Sequence, residues 1–97
     1  MYLSLYFFDG DPQALAAAHA DMLANYFPPE TLSVHALVTT ETGVVMLDAC
    51  PSREVHQAFA ASPEFREALV AVGLGEPRIQ GLGDVEWLRV APAAVSA

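Results

Sequence analysis

The chain opens on an alternating segment. Leu3, Leu5 and Phe7 fall on one side of an extended backbone and Tyr2, Ser4, Tyr6 and Phe8 on the other, which predicts a first strand over Tyr2–Phe8. Both sides are bulky, so neither is expected to meet bulk water. Asp9-Gly10 turns the chain, and Asp11-Pro12 is a helix start, a capping side chain followed by proline at the first helical position. The period then lengthens. Leu15, Ala18, Met22 and Tyr26 share one face of a helix predicted to run to about Tyr26, with His19 on the flank of that stripe. Pro28-Pro29 ends it and forces an extended connector.

Alternation returns over Thr31–Thr39, a second strand, and an apolar run over Val44–Cys50 is the third. Between them Thr40-Glu41-Thr42-Gly43 reads as a hairpin turn. A two- or four-residue loop pairs residues whose numbers sum to 83 and sets Val34, Ala36 and Val38 beside Ala49, Leu47 and Val45, a wholly apolar face. A three-residue loop with Gly43 as a bulge shifts the sum to 84 and mixes Ala36 with Asp48. Matching faces favour 83, because a one-residue slip turns a whole side-chain set over. Pro51 stops the strand. Ser52 caps a helix with Glu54 in its first turn, and Ser62-Pro63-Glu64 repeats that grammar as a restart. Gly73 suits the left-handed residue after a helix, which lets Leu74 fold back onto Leu69. The last strand is predicted within Glu76–Val90, with Val85–Val90 as its firmer half and Gly81 and Gly83 marking a bulge.

This order is βαββαβ. Short hairpins and right-handed crossovers give an α+β, ferredoxin-like (split βαβ) fold: a four-stranded antiparallel or mixed sheet in the order 4-1-3-2, two helices on one face. Residues 1–90 form one domain and 91–97 a flexible tail. The uncovered face is expected to carry Tyr2, Ser4, Tyr6, Phe8, His35, Leu37, Met46, Asp48 and Cys50. That set is too apolar to stand bare, so a homodimer joined through the open sheet faces is expected.

Composition sharpens this. Hydrophobic residues make up 54% of the chain and charged ones only 16%, yet no apolar run is long enough for a membrane span, so the excess apolar surface points to a protein interface. The net charge of −8, with four cationic side chains, all Arg, argues against nucleic acid and anionic membrane as partners and removes lysine chemistry. A single Cys forms no internal disulfide and fits a reducing cytoplasm. The acidic end of MYLSLYFFDGD is unlike a secretory leader.

The run from Cys50 to Phe65, CPSREVHQAFAASPEF, resembles the strand-to-helix segment of the dimeric α+β barrel superfamily, nearest its antibiotic-biosynthesis-monooxygenase-like branch. The motif covers Val44 to about Leu69, and the element order extends the likeness along the chain. The resemblance implies a dimer with a ligand space between helices and sheet. It also brings the activities of that superfamily into view, among them cofactor-free oxygenation of aromatic substrates and heme degradation. Cys50 stands where the superfamily usually ends the strand with Trp, Phe59 where it often has His or Trp, Leu69 where its heme-degrading members place the ligating His, and Phe7 where they have Asn. Those apolar replacements set heme degradation aside, and no cofactor is expected.

One polar constellation is placed by the sequence itself. In the 83 register His35 and Asp48 lie opposite each other, where the carboxylate orients the ring as a general base or substrate anchor. The commoner origin of such a pair is structural, satisfied at the dimer interface. His19, Met22, Tyr26, Phe59 and Trp87 are candidates to line a pocket, though aromatic and helical stripes of this kind are first of all core. His19 and His56 also read as boundary residues. The histidines lack metal-ligand spacing, so no metal is expected. Cys50 reads as a small hydrophobe, and Ser52 and Ser62 as caps. Two functions stay open: a binding protein or non-catalytic dimer module, and a cofactor-independent oxygenase-like enzyme acting on aromatic substrates.

Overall fold

The computed structural model describes residues 1–27 and 34–91. Its elements are β1 (Tyr2–Asp9), α1 (Pro12–Asn25), β2 (Val34–Thr39), β3 (Gly43–Cys50), α2 (Arg53–Ala60), α3 (Pro63–Val72) and β4 (Arg78–Asp84). Residues 31–33 of the expected second strand, and 92–97 of the expected tail, lie outside the described residues.

The local grammar holds. Asp11 accepts from the Ala14 N–H at the start of α1, Ser52 from Val55 at the start of α2, and Ser62 from Phe65 at the start of α3. Gly73 ends α3 at φ 90°, and the Leu74 N–H bonds the Leu69 carbonyl at 2.9 Å as the chain folds back. The restart at Ser62 is a full break, so three helices stand where two were expected.

The strands form one antiparallel sheet in the order β2-β3-β1-β4, the predicted order read from its other edge. This is an α+β domain with a ferredoxin-like sheet. Thr40 bonds Gly43 across Glu41-Thr42, and His35 stands opposite Asp48, so the register is 83.

The side of the sheet covered by the helices is the reverse of the expectation. Tyr6, Phe8, Val44 and Met46 form the core together with Leu15 and Met22 of α1, Phe65 and Leu69 of α3, and Leu74. The face carrying Ser4, Tyr6, Asp48 and Cys50 is therefore under the helices and is no open face. Its polar groups look like surface in the sequence, but Tyr6 meets His56 from α2 and Asp48 meets His35, which in turn meets His19 from α1. The uncovered face carries Leu3, Leu5, Phe7, Val38, Val45 and Leu47.

The last strand is also corrected. β4 is the glycine-bearing segment, with the predicted bulge where Leu3 pairs Gly83 and Ser4 pairs Gly81. A Cβ at Gly81 would lie 2.2 Å from the Tyr2 hydroxyl, so the Tyr2 ring occupies the space that a side chain there would need. The Val85 N–H bonds the Met1 carbonyl at 2.7 Å, pairing stops, and Trp87, Leu88 and Val90 are exposed. Strand propensity in Val85–Val90 has no neighbour to act on. Among the described residues no helix is long and apolar enough to cross a membrane.

Candidate functional site

One row of residues crosses the helix-covered face: His35 on β2, Asp48 on β3, Ser4 on β1. Alternation puts all three on the same side as Tyr6 and Met46, beneath α1 and α2. His35 Nδ1 and Asp48 Oδ1 are 2.5 Å apart, and Asp48 is almost fully buried. From α1, His19 reaches His35, Nε2 to Nε2, at 2.8 Å. The two ring planes differ by 9° with centroids 5.0 Å apart. Nitrogens closer than stacking distance, on rings whose centres are this far apart, place the rings head-on in one plane. This is the geometry of a linear N–H···N bond.

With Asp48 ionised, His35 donates from Nδ1 to the carboxylate, and one proton is shared between the facing Nε2 atoms. Two protons there would set N–H against N–H. Burial lowers the pKa of His19, helped by repulsion from His35 and opposed by Asp48. Neutral His19 then fits as one member of the bond.

A second cluster lies beside the row. His56 on α2 stacks on Tyr2 and approaches the Tyr6 hydroxyl through Nδ1 at 3.3 Å. Burial lowers the His56 pKa, again opposed by Asp48. Burial pushes the Tyr6 phenol well above its ordinary range. The Ser4 hydroxyl works against this from nearby, though it forms no hydrogen bond of good geometry, and the Asp48 charge adds to the rise. Burial and then Asp48 push the Cys50 thiol up, which keeps it an un-ionised, unreactive group.

These shifts fix a pH dependence. A histidine whose folded pKa is depressed contributes stability that is full above its unfolded value of about 6.5 and is lost as pH falls below it. Wild type should therefore lose more stability between neutral and mildly acidic pH than a His19→Gln/His56→Gln double variant. Urea unfolding across that range checks it, and parallel curves for the two proteins would contradict the assignment.

Beside the His35–Asp48 pair is a cavity of about 300 Å³. Met22, Leu23 and Phe27 wall it from α1 and the residues after it. Val55 and Phe59 wall it from α2, Phe65 from α3, and Met46, Asp48, Cys50 and His35 form its sheet side. Phe27, Phe59 and Phe65 meet one another, with Phe59 and Phe65 centroids 4.4 Å apart. The cavity is thus apolar and aromatic, with one polar end.

No protein-family model matches the sequence, and no curated protein matches it.

Of the residues singled out in the sequence, His35, Asp48, Met22 and Phe59 converge on the cavity. His19 stands behind it, bonded to His35. Tyr26 is half-exposed and borders a separate depression with Glu64 and Glu67. Trp87 is 78% exposed, beside Leu3 and Leu82, and takes no part in the cavity. Leu23, Phe27, Val55 and Phe65 were missed. A signal existed for most of them: Leu23 and Phe27, and Val55 and Phe59, are i, i+4 pairs on their segments. Among the described residues no group of three or more His, Cys, Asp or Glu side chains is placed to hold a metal ion.

Proposed function

We propose that this chain is a binding domain for a small aromatic or hydrophobic molecule held between helices and sheet, and that it works as a homodimer. The observation that carries the binding reading is the cavity itself, of the size of a small ligand pocket, apolar around its walls and with one buried carboxylate–histidine pair at its end. A space between helices and sheet is also what the likeness to dimeric α+β barrel proteins implies. Val55 is an exposed residue at the cavity wall, so Val55→Trp fills the space at little cost to folding. Calorimetry with small planar aromatic compounds should show saturable binding to wild type and at least a tenfold weakening in Val55→Trp. Equal binding by both proteins would place the ligand elsewhere.

Support for the homodimer comes from the uncovered face. Phe7 there lies under the Arg78 guanidinium, 4.1 Å from ring centre to Cζ, and Val38 is 52% exposed among other apolar side chains. A second copy packed on this face should bury roughly 1,000 Å² or more. Light scattering at micromolar concentration should give twice the chain mass, and a monomer would refute this reading.

The second reading is a cofactor-independent oxygenase-like enzyme acting on aromatic substrates. The His35–Asp48 pair at the cavity wall favours it, as the arrangement of a general base and its orienting carboxylate. Against it, His35 Nε2 is already engaged by His19, so the base must be freed before it acts. The balance favours binding without turnover.

A further inference from the structure

We propose that the cavity takes a small aromatic amine, with its ammonium group against Asp48 and its ring among Phe27, Phe59 and Phe65. This rests on the reading of the cavity as a binding site and names the class of ligand.

The argument begins with charge. The chain has four Lys and Arg side chains in all, every one an Arg, and all four are among the described residues. Arg53 and Arg89 are exposed. Arg66 faces Glu76 at the surface. Arg78 lies over Phe7 on the other side of the sheet. None lines the cavity. Asp48, 1% exposed, is thus a buried carboxylate without a permanent cation beside it. Its Oδ1 is taken by His35, and Oδ2 forms no hydrogen bond among the described residues. His35 is the neighbour able to carry a charge at that oxygen pair, and its other nitrogen is bound to His19.

A buried carboxylate with no permanent cation beside it is costly, and a cation that reaches it regains a strong interaction in a low-dielectric site. The walls act in the same sense. Aromatic faces attract cations and repel anions, and three phenylalanines line this space. A carboxylate ligand meets Asp48 with like charge. A neutral ligand gains only from burial. A primary ammonium gains from burial, from the charge and from a donor to Oδ2. A volume of about 300 Å³ suits one ring with a short chain.

The test is a phenethyl series of three charges, phenethylamine, phenethyl alcohol and hydrocinnamate, each titrated calorimetrically into the full chain and into Asp48→Asn. In wild type the amine should bind roughly ten- to a hundredfold tighter than the alcohol, and hydrocinnamate most weakly. In Asp48→Asn the preference for the amine over the alcohol should vanish. Should the variant fail to fold, the wild-type series decides alone. Amine and alcohol binding wild type equally, or the acid binding best, would overturn the amine assignment and leave the cavity reading intact. Failure of all three to bind would overturn both.

Discussion

Phe65→Ala should lower stability by about 3–5 kcal/mol, the largest loss expected from any single truncation here. Phe65 is 1% exposed and stands at the junction of core and cavity. Its ring meets Tyr6 on the sheet at 5.7 Å and Phe27 and Phe59 on the cavity side. Its N–H also donates to the Ser62 hydroxyl that caps α3. Truncation enlarges an existing void, so the walls have little material with which to collapse inward. Urea unfolding measures the effect. A loss below about 1 kcal/mol would mean that α3 does not pack as described.

Gly43→Ala should cost roughly 2–4 kcal/mol, although it adds a single methyl group. A Cβ at this position would lie 1.9 Å from the Phe8 carbonyl oxygen and 3.0 Å from the Asp9 Cα. Both are backbone atoms of β1 and cannot rotate aside. The strands must part at the Asp9–Gly43 end, next to the buried Phe8–Val44 pair. Amide exchange should speed up first at that end of the β1–β3 ladder. A variant as stable as wild type would show that β1 and β3 do not approach this closely.

Gly43 also shows where the sequence could and could not be read. A glycine at the end of a hairpin turn reads as a left-handed bulge residue. Its actual use is space for a third strand, which comes from Phe8 and Asp9 far away in the chain. Signals confined to a few residues were legible: Asp11-Pro12, Ser62-Pro63 and Gly73 each specify a backbone conformation on their own. The pairing of His35 with Asp48 was legible too, since face matching across one hairpin fixes it. Which face the helices cover was not. Alternation sorts β1 into two sets but carries no mark of inside, and both sets here are bulky. Ser4, Tyr6, His35 and Asp48 look like residues for a surface or an interface. They lie beneath α1 and α2, where His56 meets Tyr6 and His19 meets His35, and no local pattern announces that. The candidate site changed character with the face. A His–Asp pair expected at a dimer interface became the polar end of an internal cavity. Trp87 went the other way, from a candidate in a strand to an exposed side chain beyond the last rung of the ladder.

The proposed ligand sits between helices and sheet against Met22 and Met46. The chain's three methionines report on it directly, since Met22 and Met46 line the cavity and Met1 is exposed and outside it. Carbon-detected methyl spectra should be followed while phenethylamine or phenethyl alcohol is added. Saturable shifts of the Met22 and Met46 methyl signals are expected, with a still Met1 signal. Shifts confined to Met1, or none at any methionine with either compound, would contradict that placement.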